Sequence, residues 1–177
     1  MLFRSRERVE ETKKFSRKNI NGYFIKRRVC FMGRWIKHGA YYPIWFLRLF
    51  RKGKGRSEQR AMDEHIVLLE GKSRKLKNDF IDDNKKDLSW WIEKHNNYSS
   101  RETKEVIKEN YGGKKKRVFY YKLPLFCRAC FYFCYRYFFR FGFLDGKEGL
   151  IFHFLHAFWY RFLIDAKIYE AKKKLEK

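Results

Sequence analysis

Residues 118–162 hold 19 of the chain's 36 aromatic residues within 45 positions, and no other feature constrains the fold as strongly. Rings at that density gain so much by leaving water that the segment must pack or find an apolar surface. Residues 125–141 are apolar nearly all round a helix, with Arg128, Arg136 and Arg140 gathered into about a third of its circumference. Gly142 to Gly149 reads as a turn, and residues 150–164 as a second helix of the same kind. The first is too short and too charged for a good transmembrane span, which takes about 20 mostly apolar residues. The pattern instead predicts helices lying in a membrane interface, with rings at the acyl boundary and arginines at the headgroups. The competing arrangement is a helical hairpin packed on the rest of the protein. A chain of 177 residues has little room to bury so many rings internally.

Charge points the same way. The chain carries 43 Lys and Arg against 20 Asp and Glu, a formal net charge of +23, so an anionic partner surface is expected. The excess is uneven: residues 1–55 have net charge +13, residues 56–105 balance, and residues 113–177 have +10. Cys127, Cys130 and Cys134 cluster in the aromatic run, while Cys30 stands apart. No second pair completes a zinc set, so the cysteines read as small buried thiols in a reducing cytoplasm. The chain turns charged within its first residues, and no signal peptide is read there.

Residues 6–18 read as a charged helix, with Glu7, Glu10 and Glu11 preceding Lys13, Lys14, Arg17 and Lys18 in the order favoured by i,i+4 pairing and the helix dipole. From Tyr23 to Phe50, short apolar runs punctuated by Gly33, Gly39 and Pro43 predict strands and turns, clearest over Ile44–Phe50. Residues 51–56 form a basic glycine loop without the spacing or the terminal Lys-Ser/Thr of a phosphate-binding P-loop. Residues 66–70, the turn Gly71-Lys72 and residues 73–80 predict a hairpin. Asp87 suits the N-cap of a helix running to Asn110, on which Leu88, Trp91, Ile92, His95, Tyr98 and Glu102 share a face. Gly112-Gly113 and the basic run after it divide the chain into residues 1–111 and a basic, aromatic helical tail, residues 112–177.

Two constellations could carry chemistry. Asp63, Glu64 and His65 stand together before the apolar run at Ile66, and a carboxylate in a cleft can take a proton from a hydroxyl nucleophile. On an extended backbone adjacent side chains point to opposite faces, so only one of the two carboxylates would enter a site. The string from Trp90 to Tyr98, with Trp91, Lys94 and His95, could stack on a sugar ring and hydrogen-bond its hydroxyls, or simply dock the helix by its rings. His153, His156 and Tyr160 share a helix face, but no matching acidic ligand follows for a metal.

The order of these pieces resembles the C-terminal half of bacterial family 2 glycosyltransferases that build exopolysaccharide and lipopolysaccharide. The matching elements begin with Gly33-Arg34-Trp35-Ile36-Lys37-His38-Gly39, then Tyr42-Pro43 and Leu47-Arg48-Leu49-Phe50-Arg51. Met62-Asp63-Glu64-His65 with Glu70-Gly71, and Trp90-Trp91 with Lys94-His95-Asn96-Asn97-Tyr98 and Arg101-Glu102, follow in order. Gly142-Phe143-Leu144-Asp145-Gly146-Lys147-Glu148-Gly149-Leu150 closes the series, which covers about Tyr23 to Glu170.

The resemblance implies an α/β fold in which residues 1–111 supply the acceptor-side strands and helix of a partial GT-A domain. It implies an inverting transfer from a nucleotide sugar to a lipid-linked or polysaccharide acceptor at the cytoplasmic face of an inner membrane, with the tail held peripherally on an anionic membrane surface. Glu64 occupies the position of the general base, with Asp63 as the other candidate, because the family's usual Glu-Asp order is inverted here. Arg34, His38, Arg48, His65, Trp91, Lys94, His95 and Tyr98 become candidates for binding the acceptor. A divalent Mg or Mn ion is expected for the full enzyme, but its Asp-x-Asp ligands are not in this sequence; Asp79, Asp82 and Asp83 fall too late to replace them. The chain is thus expected to lack the donor half and to be inactive alone. The alternative is a basic membrane-surface or nucleic-acid-binding protein without catalysis. Nucleic acid is not the expected partner, because the rings lie in near-continuous apolar runs rather than alternating on a basic sheet.

Overall fold

The computed structural model describes residues 19–58, 65–108 and 115–176. The predicted helix over residues 6–18, and the carboxylates Asp63 and Glu64, lie outside the described residues. Within them the chain is a mixed α/β structure, strands first and helices after.

The sheet is organised by β1 (Ile20–Phe31), long enough to pair with different strands along its two halves. A hairpin turn at Met32-Gly33, with positive φ at both residues (49° and 81°), returns the chain as β2 (Arg34–Ile36) against the C-terminal end of β1. Positive φ at both turn positions matches strand twist, and glycine supplies one of them without steric cost. β3 (Ile44–Phe50) lies antiparallel on the N-terminal half of the same edge. β4 (Gly55–Ser57) and β5 (Ile66–Leu68) form a separate antiparallel ribbon. β6 (Lys72–Asp83) then runs parallel to β1 along its other edge.

The predicted hairpin over residues 66–80 does not form. β5 pairs back with β4, and β6 leaves through Gly71 (φ +83°) to join β1. The basic loop leads from β3 into β4, and a 12-residue strand finds more ladder partners on β1 than β5 could offer it. The strand predicted over Ile44–Phe50 is present with those bounds.

Alternation along β1 makes its faces unlike. Ile25 packs with Leu76 and Phe80, while Phe31 joins Ile36, Tyr41, Trp91 and Phe152 in a second cluster. On the opposite face Lys26 and Arg28 both reach Asp79, each at 3.1 Å, and Arg28 lies over the Trp35 ring at 4.2 Å.

Helix α1 (Leu88–Ile107) begins where Asp87 accepts a hydrogen bond from Trp90 N at 2.8 Å, the predicted N-cap. Its buried side runs Trp91, Ser99, Glu102, Thr103 and Val106; Leu88, assigned to that face, is exposed. A short helix α2 (Lys115–Lys122) leads to α3 (Cys127–Cys134), which continues through a π-helical turn, Tyr135–Phe139. A 3₁₀ turn (Gly142–Asp145) reverses the chain into α4 (Gly146–His153), a second π segment (Phe154–Trp159) and α5 (Tyr160–Leu175).

The tail therefore forms a helical hairpin, and it packs on α1. Val106, Tyr160, Ile164 and Ile168 make a cluster there. Two buried ionic knots fix the packing. Glu102 accepts from Tyr121 Oη (2.6 Å), Tyr160 Oη (2.8 Å) and Arg161 (3.0 Å). Arg128 donates through Nε and Nη2 to Asp165, which also accepts from Phe126 N at 2.8 Å. Arg128 is 2% exposed, so it is not a headgroup ligand as its helical position predicted. A guanidinium can enter a core when a carboxylate oxygen that accepts two of its N–H groups, here Asp165 Oδ1, and a carbonyl, here Tyr121 O, satisfy it. Its placement turns the same helix so that Cys127 and Cys130 are exposed rather than buried.

Replacing Asp165 by Leu strands the Arg128 charge and should destabilise the fold by about 3–5 kcal/mol, whereas the double change Arg128→Met with Asp165→Leu should recover most of that loss. Urea denaturation midpoints of the three proteins check both outcomes.

Candidate acceptor cleft

A cleft of about 660 Å³ opens where the C-terminal ends of β1 and β6 meet α1 and the second tail helix. Its wall includes Arg27, Phe31 and Gly33 from the first strand and turn, Tyr41, then Trp91, Lys94, His95 and Tyr98 from α1. Phe152 and His156 close it from the tail. The rim carries Asp82, Asp83, Lys85, Lys86 and Asp87 from the β6–α1 connection. Four predicted acceptor residues, Trp91, Lys94, His95 and Tyr98, thus share one cavity, because positions four and three apart fall on one helix face.

The floor is aromatic and uncharged. His95 stacks on Trp91, ring centroids 3.5 Å apart, and its Nδ1–H donates to Trp91 O at 2.8 Å. Burial pushes the His95 pKa down, and the Lys94 charge beside it adds to this against the backbone hydrogen bond. With Nδ1 donating, the neutral ring keeps its lone pair on Nε2. His156, its pKa held far below the usual range first by burial and then by Arg161, lies 2.6 Å through Nδ1 from the Tyr41 hydroxyl. Burial also drives the Tyr41 pKa up, so both members of that pair are neutral. Lys94 lies over the rings of Trp90 (4.8 Å) and Tyr98 (5.5 Å), which leaves an ammonium at the cleft mouth. An apolar floor with a few convergent polar groups suits a ring-shaped polar ligand such as a sugar, stacked on one face and hydrogen-bonded at its edge.

Behind the cleft, two of the resembling motifs meet. Asp145, buried, accepts from Lys37 N (3.1 Å) and His38 N (2.8 Å) and pairs with His38 Nδ1 at 2.6 Å. Gly39 N donates to Arg140 O at 2.8 Å, and Arg136 donates to Gly39 O. Arg34 sits 4.0 Å from Glu148 at the start of α4. His38 and Arg34 are therefore not in the cleft; they join β2 to the tail. The pairing of His38 with Asp145 across 107 residues is invisible in the spacing of either motif.

Arg48 and His65 lie at the other end of the sheet. Arg48 covers the rings of Phe46 (5.4 Å) and Phe80 (5.2 Å). The His65 ring is 5.9 Å from that of Phe46, which also carries the Arg27 guanidinium at 4.7 Å, and Arg27 lines the cleft. Glu64 and Asp63, the candidate bases, precede His65 in the chain and lie outside the described residues. Tyr41, Phe152 and His156 were missed as cleft residues by sequence reasoning, although the face that His156 shares with His153 and Tyr160 was visible in the spacing.

Among the described residues, the acidic groups near the cleft do not fit the divalent ion implied by the resemblance. Asp82 pairs with Arg27 at 3.6 Å and Asp83 with Lys85 at 2.6 Å, and neighbours on a strand face opposite ways. Asp79 is committed on the other face: burial alone would raise its pKa, but hydrogen bonds from Lys26, Arg28 and Tyr42 bring it below the usual range. Among the described residues no cluster of three His, Cys, Asp or Glu could hold a metal.

No family model, no curated protein and no solved structure matches the chain.

His153 is fully buried against Gly39 and Gly142, and neither ring nitrogen has a hydrogen-bond partner among the described residues. Burial lowers its pKa to about 4, only partly opposed by the charge of Asp145. The unfolded chain, with an ordinary imidazole near 6.5, binds the extra proton first. Stability should therefore be full above about pH 6.5 and fall as pH drops toward 4, by up to about 3 kcal/mol from this group. His153→Gln should flatten the dependence in that window, measured by urea unfolding at stepped pH.

Proposed function

We propose that this chain is the acceptor-binding half of a sugar-transferring enzyme of the inverting, nucleotide-sugar-dependent kind, acting on a lipid-linked or polysaccharide acceptor. The observation that carries the reading is the convergence of separate motifs of the resemblance on one aromatic cleft. Gly33 ends the turn at its wall, the Trp91–Tyr98 face forms its floor, and the motif centred on Asp145 clamps β2 from behind. A mixed sheet with a parallel pair, β1 and β6, accords with an α/β glycosyltransferase core.

In this reading the acceptor sugar stacks in the cleft, with Lys94 and the His95 ring meeting its hydroxyls or a linked phosphate. Glu64 takes the proton from the attacking hydroxyl, which then displaces the nucleotide from the anomeric carbon with inversion. Asp63 is the competing base. Among the described residues the cleft's cations are its lysines and Arg27, which is paired with Asp82, so in this reading donor binding and leaving-group stabilisation fall to a partner half.

The test separates binding from transfer. Short glycans and their phosphate-linked forms, titrated against Trp90 and Trp91 fluorescence, should bind the 177-residue chain, and Lys94→Ala should weaken binding by about tenfold. In a chain joined to a nucleotide-sugar-binding half, Glu64→Gln should reduce transfer by at least about a hundredfold while leaving glycan binding unchanged. Salt-sensitive nucleic-acid binding without glycan binding would favour the non-catalytic alternative. Transfer by the 177-residue chain alone would contradict the half-enzyme reading.

A further inference from the structure

The tail hairpin has an inner face and an outer one, and only the inner face is used by the fold. On the outer face Phe131, Phe138, Phe139, Phe143, Leu144 and Phe154 are exposed, Phe139 by 75%. Phe138, Phe143 and Phe154 are joined through ring contacts. Phe133 bridges Phe138 and Phe154, each at 6.3 Å between ring centroids, Tyr137 contacts Phe138 at 5.1 Å and Phe143 at 6.2 Å, and Phe141 contacts Phe143 at 6.1 Å. Single exposed apolar residues are ordinary, but a contiguous aromatic sheet of this kind marks a binding surface.

Its chemistry selects the occupant. Within the reversal between the two tail helices, Gly142 and Asp145 are buried while Phe141, Phe143 and Leu144 project outward. Arg140 and Lys147 bracket that turn in the chain, both exposed, and the Arg34 guanidinium lies at Gly146, 3.3 Å from where a side chain would begin. Rings at a projecting turn with cations at its flanks are the composition of an interfacial anchor, in which rings enter the acyl boundary and cations meet phosphates. A second copy of this chain would set the same cations against each other. No helix among the described residues is long and apolar enough to cross a membrane, so this surface would lie on a bilayer rather than span it.

We infer that the Phe138–Leu144 edge docks on an anionic phospholipid bilayer. The inference deepens the acceptor reading by naming the surface from which a lipid-borne acceptor would come: Gly33 lines the cleft, and its neighbour Arg34 reaches the docking turn. Docking needs no transfer, so vesicles that carry no glycan test it separately.

Flotation with vesicles of phosphatidylcholine, alone or mixed with anionic phosphatidylglycerol, provides the measurement on the full 177-residue chain. The chain should bind the mixed vesicles, less so at high salt. A Phe138→Ser, Phe139→Ser, Leu144→Ser protein should bind about tenfold or more weakly with an unchanged circular dichroism spectrum. Arg140→Gln with Lys147→Gln should erase most of the preference for anionic vesicles. Leu69→Ser with Ile81→Ser, exposed positions away from this edge, should bind like the parent. The proposal is overturned if the parent binds no vesicles or if the triple variant binds as well as the parent. It is equally overturned if the triple variant instead dissolves a dimer, or abolishes nucleic-acid binding, in a chain that ignores lipid.

Discussion

The Asp145 carboxylate is the fixed point of this molecule. It is buried, and it repays that burial by taking two backbone N–H groups and one imidazole from residues more than a hundred positions earlier. The backbone bond from Gly39 to Arg140 and the Arg136 bond to Gly39 O extend the seam. Gly39 has φ +66°, a conformation that costs glycine little, and His153 fills the space where a side chain would stand. This seam, together with the packing of the tail on α1, holds Phe152 and His156 against Tyr41 and Trp91 as the second wall of the cleft.

The two ionic knots of the tail do related work at a different place. Glu102 and Asp165 each collect several donors, so the charges in that interface are matched rather than stranded. Pairing Arg128 inward also decides what faces outward. Once one side of the hairpin is committed to Asp165 and to α1, the remaining phenylalanines pack on one another along the exposed side. One helix thus serves a core with its polar residues and leaves its rings for the outside, the reverse of the usual division.

Much of the frame was legible in the sequence. Ile44–Phe50 reads as a strand from its β-branched and aromatic run, and Asp87 as a cap from its place before a helical period. The grouping of Trp91, Lys94, His95 and Tyr98 follows from helical spacing alone. The hairpin over residues 66–80 was misread because local turn chemistry at Gly71 is identical whether the next strand folds back or crosses to another edge. The cysteines were misread because apolar neighbours predict burial only when all faces of a helix are covered. Arg34 and His38 were grouped with the cleft residues because the resemblance implied it, while the contacts with Asp145 and Glu148 hold them behind the cleft.

The sequence by itself determined the mixed α/β class, the positions of the principal strand and helix starts, the excess of positive charge and the concentration of rings in the tail. These are local or additive properties, set by period, cap chemistry and composition. Only the tertiary structure decided which edge β6 would join, which arginines would be buried, and that a cleft would form from Trp91, Tyr41 and Phe152. Those outcomes depend on contacts between residues tens to more than a hundred positions apart, such as Arg128 with Asp165 and His38 with Asp145. Charge pairing and shape complementarity at that range leave no trace in local spacing, because each partner's own neighbourhood looks the same whether or not the other arrives.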